Sequence, residues 1–369
     1  MKLKKTLAVI KLINSTNLII NQSYIFRKMN KHLLLIISLI SILGNLAPSQ
    51  LTAQNIATQK QESFNKVDSI KVDADFCVVK LTGYQGNTIE FNGVIKSDEN
   101  ADQYKLITKV TGSKLNIEVQ KPSSWTSHWG EIELKVPNEL IIEISSQSGK
   151  VDASSLTVKN LYIDSKSGHV NITDVKGNIE SNSPAGDIVV NNFEGNIKSK
   201  SKTGKVIINN AKGDFNLNSN KGDFTINQLD GNIKTDGGAG NQELENINGD
   251  ISLKSTSGDI KLSLAKGNIT TRSFEGNQKI FQSEGIYNVQ ASTGGLTGTR
   301  IKFTGSSSFS TTEGNIKMQL NTKTDLAFEL KSDNSFLRAM GKSKKKSLKV
   351  GKGSILITGT STTGSQAYY

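Results

Sequence analysis

Glycine returns every nine residues, without a slip, from Gly168 to Gly294, fifteen times in succession. Chance does not place 33 glycines in this way in a chain of 369 residues. A fixed period marks a repeat architecture, in which each unit buries its apolar face only against its neighbours. The ladder is clearest at Gly168, Gly177, Gly186, Gly195, Gly204, Gly213, Gly222, Gly231, Gly249, Gly258 and Gly267. Most of these glycines precede Asn or Asp and then Ile, Val or Phe, as in Gly186-Asp187-Ile188 and Gly222-Asp223-Phe224. Glycine, Asn and Asp suit turns, and the β-branched or aromatic residue opens a strand.

The true unit is eighteen residues, two nonapeptides of different character. Positions eighteen apart read Val170, Ile188, Val206, Phe224, Gln242, Ile260 in one column and Ile172, Val190, Ile208, Ile226, Leu244, Leu262 in another. The second nonapeptide gives Ile179, Ile197, Phe215, Ile233, Ile251, Ile269. Polar columns are as regular: Ser183, Ser201, Ser219, Gly237, Ser255, Ser273; then Asn178, Asn196, Asp214, Asn232, Asp250, Asn268; and Asn192, Asn210, Gln228, Asn246.

Two folds use a nine-residue strand-and-turn unit, an antiparallel meander and a parallel coil. In a meander with Gly-Asn or Gly-Asp hairpins, the residues flanking each turn share one face. That would set Lys176 beside Ile179, Glu194 beside Ile197 and Lys212 beside Phe215, mixing charged and apolar residues. A parallel coil stacks like on like, as Asn ladders do in cross-β structures. The expected fold is therefore all-β, a parallel β-solenoid (β-helix) of eighteen residues per coil. Residues 149–320 form its regular part, about nine coils and roughly 45 Å at the spacing of stacked strands.

Flanking segments are less regular. Residues 64–148 alternate apolar and polar residues without the nine-residue clock, and are expected to form looser coils or a cap. Residues 321–369 are expected to hold further strands and a basic loop, and residues 55–63 a linker. Residues 1–54 have the pattern of an export leader: Met29-Asn30-Lys31-His32, an apolar run from Leu33 to Leu43, then small and polar residues. The run is well short of the ~20 residues that span a bilayer. Cleavage is expected between Ser49 and Gln54, and translation either starts at Met29 or produces an unusually long leader.

The net charge of +12 is not a property of the repeat. Residues 1–54 hold seven Lys/Arg and no acid, and the stretch from Arg338 to Lys352 holds seven more and no acid. Taking those fourteen from the 45 basic residues leaves 31 against 33 acidic ones. Nucleic-acid binding needs a basic footprint over the folded domain, so nucleic acid is not an expected partner. The single cysteine, Cys77, excludes an intramolecular disulfide and reads as a small buried hydrophobe in Phe76-Cys77-Val78-Val79.

The Ser-Gly-His/Asp-Val/Ile units, as in Ser167-Gly168-His169-Val170 and Ser257-Gly258-Asp259-Ile260, resemble the putative adhesin family of bacterial β-strand-repeat proteins, a domain of unknown function. Val136-Pro137 ahead of the first repeat and the irregular strands before it are similar to that family too. The resemblance covers about residues 64–365. It implies a β-helical fold and an exported or surface location, and it carries over no catalytic residue.

The chain's own chemistry agrees with a non-enzyme. Asp187, Asp223 and Asp259 share a column, but Lys205 and Asn241 alternate with them, and all follow turn glycines. Beyond the leader there are only His128 and His169, too few for a triad or a metal set. Calcium-binding nonapeptides need Gly-Gly-x-Gly-x-Asp, and the register here differs. No metal and no cofactor is expected.

Two surface features remain. Trp125, His128 and Trp129 lie in one loop; an exposed tryptophan pair stacks on sugar rings, while the plainer alternative is a cap over the solenoid. Lys342, Lys344, Lys345 and Lys346, with Lys349 and Lys352, could contact polyanions such as polysaccharide or lipid headgroups, or could simply keep the end soluble. The expected protein is a monomeric, exported surface or periplasmic module whose partner is a cell-surface or extracellular macromolecule, polysaccharide included.

Overall fold

Each coil is closed by three bends, and each bend has a local cause. In the coil from Gly186 to Thr203, Asn192 takes a left-handed conformation, φ 52°. Asp174, Asn210, Gln228 and Asn246 do the same one coil apart, φ 54–61°. Asn and Asp enter this region most easily among residues with a Cβ. The bend lets Val190 and Phe193 both point inward although two residues separate them. Gly195, φ 140°, makes the second bend, where an added Cβ would lie 1.9 Å from the Gly177 carbonyl oxygen. The third is the turn Pro184–Asp187, closed from inside by Ser183, whose buried Oγ donates to the Gly186 carbonyl at 2.9 Å.

The computed structural model describes residues 55–123, 127–321 and 325–369, so the proposed leader and Trp125 lie outside the described residues. Residues Asn55–Tyr369 form a single unit built from parallel strands. Among the described residues the only helix is one 3-10 turn, Ala101–Gln103. Register between coils is the eighteen-residue step: Ile188 pairs Val206, Val206 pairs Phe224, and Ile197 pairs Phe215, all in parallel. The meander is thereby excluded for the repeat. The interior is a continuous stack of Ile, Val, Leu and Phe, with Phe193 and Phe215 meeting edge to face at 5.9 Å.

One interior layer departs from the pattern and repairs itself. Where other coils carry the corner serine, position 237 is glycine, and the inward position 242 is a fully buried Gln. Gln242 Nε2 donates to the Lys254 carbonyl at 2.6 Å, and Thr235 Oγ1 donates to Gln242 Oε1 at 2.5 Å. The longer side chain fills the space vacated at the corner. Two coils on, Thr271 and Gln278 repeat the pair, and Gln278 Nε2 also reaches Ser273 Oγ at 2.8 Å.

The two ends of the stack use one device. A single column of parallel strands runs from Lys114–Gln120 through Ser69–Asp75 and Leu140–Ser146, along the repeat, and on through Ile355–Thr363 to Leu326–Ala339. Outside each terminal strand an antiparallel partner closes the open edge: Lys105–Thr111 at one end and Lys342–Gly351 at the other. At the C-terminal end the last strands in sequence, Ile355–Thr363 and Gln366–Tyr368, lie inside the hairpin that precedes them.

Two expectations are corrected. The stretch 55–63 is no linker; Ile56–Asn65 is a strand, paired antiparallel with Thr88–Ser97, whose open ladder it satisfies. The basic stretch from Lys342 is no loop; Lys342–Gly351 is a strand. Met340 and Gly341, φ 49° and 74°, supply the two left-handed residues of a tight hairpin turn. Charge does not prevent strand formation where every lysine points to solvent.

Candidate functional site

The third face of each coil, Ile197–Ser201 in the coil described above, alternates inward and outward residues. Its first outward position forms an unbroken exterior column in strand register: Lys71, Glu143, Tyr162, Glu180, Lys198, Asn216, Lys234, Ser252, Thr270. Nine strands at ~4.8 Å make this roughly 38 Å long. Beside it, at the Gly-Asn/Asp bend, runs the column Asn178, Asn196, Asp214, Asn232, Asp250, Asn268.

Between the two columns the surface is concave. One groove of about 650 Å³ follows them from Asn160 and Tyr162 to Asn268 and Thr270. A second, of about 500 Å³, continues from Tyr162 and Glu180 to Lys71 and Asp73. The buried Ile179, Ile197, Phe215, Ile233 and Ile251 underlie the floor, and the exposed ring of Tyr162 is its large apolar surface. The groove is open to solvent along its length, and its polar lining recurs once per coil.

The wall is ordered by its own hydrogen bonds. Asn196 Nδ2 donates to Asn178 Oδ1 at 3.0 Å. Asn232 donates through its backbone N and Nδ2 to Asp214 Oδ1 at 3.2 and 3.0 Å, and Asn268 does the same to Asp250 Oδ1. The Asp250 backbone N donates to Asn232 Oδ1 at 2.9 Å. Each Asp thus commits Oδ1 to the ladder and keeps Oδ2 outside it. Among the rim residues, Lys198 and Glu180 form an ion pair at 2.8 Å. An ordered row of amides and carboxylates with an apolar floor can hold an extended chain rich in hydroxyls.

The other column of aspartates is structural. Asp187 Oδ1 accepts from the Lys205 backbone N at 2.8 Å, Asp223 Oδ1 from Asn241 at 2.9 Å and Asp259 Oδ1 from Asn277 at 2.7 Å. Among the described residues no three His, Cys, Asp or Glu side chains converge as metal ligands. Cys77 is buried, and burial, with the Asp75 charge adding to it, pushes its thiol up to about 12.

Of Trp125, His128 and Trp129 only the last two are described, and they are not in a loop: they open the strand His128–Val136, opposite Ser97 and Lys96. His128 packs on Phe76 with ring centroids 3.9 Å apart, and its Nδ1 lies 3.1 Å from the Tyr104 hydroxyl. It belongs to a packed aromatic cluster. Trp129 is 40% exposed, with Lys96 Nζ 5.4 Å from its ring centre. Lys342, Lys344, Lys345 and Lys346 lie on the terminal hairpin, away from the groove's lining residues. The sequence displayed the Asn/Asp column but not its use, because a turn ladder and a binding wall have the same composition. The rim residues Lys198, Asn216, Lys234 and Ser252 are not of one type, so only strand register joins them.

The chain is similar to a solved structure described as a putative adhesin from Parabacteroides merdae, 16% identical, TM-score 0.28, covering 72% of this chain and 96% of that one. It is also similar to a putative cell adhesion protein from Clostridium sporogenes, 11% identical, TM-score 0.18, covering 84% and 99% respectively. No curated protein matches the chain. The family model described as Toastrack DUF4097 matches residues 67–273, more than half of the 369 residues and most of the stacked coils. The chain belongs to the Toastrack DUF4097 family.

Proposed function

We propose that this protein is an exported, non-catalytic adhesion module of the cell surface or periplasm, and that it holds an extracellular polysaccharide strand along the third-face groove. The supporting observation is the unbroken register of the rim column from Lys71 to Thr270 beside the Asn/Asp wall. A polysaccharide presents what such a lining matches: C–H ring faces for the apolar floor and repeating hydroxyls for amides and carboxylates. Many weak contacts along one strand add as multivalent binding, which is how an adhesion module without a deep pocket gains affinity.

Affinity electrophoresis of the purified protein through gels containing different polysaccharides tests this reading. Retardation by at least one is expected, together with at least about a tenfold loss of affinity in Asn216→Trp, which plugs the groove. Glu245→Trp, on another face, should bind as wild type. Undiminished binding by Asn216→Trp refutes the groove. Loss in Trp129→Ala alone would instead move the site to the exposed ring of Trp129. Recovery of the protein from the cytoplasmic fraction of its own cells would refute export.

A further inference from the structure

The terminal hairpin carries more than an edge-blocking charge. Arg338, Lys342, Lys344, Lys345, Lys346 and Lys352 are exposed and, among the described residues, have no ion-pair partner; only Lys349 pairs, with Glu329 at 2.7 Å. Lysines alone are enough to keep an open strand edge from pairing. Yet the same hairpin exposes two large apolar side chains, Phe336 at 60% and Met340 at 49%. Phe336 is directly opposite Lys345, whose Nζ lies 4.9 Å from the ring centre, and Met340 forms the turn. By register Tyr369, 53% exposed, follows the Ala339–Tyr368 pair and flanks Met340.

From this arrangement we infer that the hairpin is a membrane-surface contact, docking on a bilayer of anionic phospholipid. Cations near such a surface each gain about 1 kcal/mol from its potential. Aromatic and other apolar side chains among them enter the headgroup boundary, where their apolar part leaves water. A soluble polyanion would satisfy the lysines and leave Phe336 and Met340 in water. The charge is confined to this end, since the rest of the folded chain is near neutral. No helix among the described residues is long and apolar enough to cross a membrane. None of the hairpin's residues lines the groove, so this docking does not depend on the polysaccharide reading.

The test is co-sedimentation of the protein, purified as its own cell processes it, with phosphatidylglycerol–phosphatidylcholine vesicles and with pure phosphatidylcholine vesicles. Binding is expected to the first and not the second, and it should weaken with added salt. A triple variant, Lys342→Glu, Lys344→Glu and Lys345→Glu, should partition roughly a hundredfold less well. Phe336→Ser with Met340→Ser should lose at least about tenfold while keeping the salt dependence. Circular dichroism melting checks that each variant is folded; should the triple variant not fold, the salt titration of the wild type stands in for it. Wild-type binding by the Phe336/Met340 variant overturns the proposal in favour of a plain polyanion contact. So does equal binding to neutral vesicles.

Discussion

Gly213 lies so close over Gly195 that a Cβ added to it would stand 1.9 Å from the Gly195 carbonyl oxygen, one coil away. Gly213 also has φ 125°, outside the range of residues with a side chain. Both conditions make glycine obligatory there. Gly213→Ala is expected to cost at least about 3 kcal/mol, combining backbone strain with displacement of a neighbouring coil. Gly112→Ala is the control, since Gly112 has φ 61° but open space around it, and should cost about 1 kcal/mol. Denaturant unfolding of the two variants measures the difference, and equal losses would contradict the close packing of the coils.

The Gly237–Gln242 exchange predicts coupling. A Cβ at position 237 would meet Gln242 Nε2 at 2.6 Å, so Gly237→Ser makes the end of that side chain shift toward the arrangement two coils on, where Gln278 Nε2 lies 2.8 Å from Ser273 Oγ. Gln242→Ile alone leaves the Thr235 hydroxyl and Lys254 carbonyl without their partner and opens space at the corner. Gln242→Ile is expected to cost about 1–3 kcal/mol, and Gly237→Ser less, because the end of Gln242 can move. The double variant restores the Ser and Ile of the other coils and should cost less than the sum by at least about 1 kcal/mol. Simple additivity in a double-mutant cycle would refute the compensation.

Cys77 should be chemically silent. Its thiol is held near 12, so little thiolate exists at neutral pH, and the side chain is fully buried. Alkylation by iodoacetamide at about pH 8 is expected to be at least a hundredfold slower in the native protein than in denaturant. A native rate within a few-fold of the denatured one would mean that this part of the stack opens readily.

Alkaline pH should unfold the C-terminal end first. Burial pushes the pKa of the Tyr287 hydroxyl up, with the Glu284 charge adding to it, and burial alone pushes up that of Tyr368. In the unfolded chain both ionise near about pH 10, so above that pH the unfolded state has lost protons that the folded state retains. The stabilisation is complete below about pH 10 and is lost as pH climbs through the folded values. Neither hydroxyl has a hydrogen-bond partner among the described residues. Tyr368→Phe should therefore gain about 1 kcal/mol at neutral pH and show a shallower alkaline loss. Unfolding curves at neutral pH and above pH 10 check both signs; a destabilised Tyr368→Phe at neutral pH would contradict them.

How much was legible follows from what repeats. The Ile188, Val206, Phe224 column and the Asn196, Asp214, Asn232 column could be written down from spacing alone, and they are ladders in the structure. The groove rim was not legible. Lys198, Asn216, Lys234 and Ser252 follow no single residue type, and what unites them is the direction in which each points. The strand Lys342–Gly351 was equally hidden, since its lysines resemble a solvated loop until the open edge of Leu326–Ala339 is there to pair.

The sequence by itself determined the coil, because a strict period with glycine at the close approaches leaves parallel stacking as the arrangement that keeps like residues on like. Tertiary structure decided how the stack ends and where its surface is concave. Terminal strands have no next coil to specify them, so their order is set by which ladder edge remains open, as when Ile355–Thr363 slips inside Leu326–Ala339. The groove likewise belongs to no single coil; it exists only once neighbouring coils are in register.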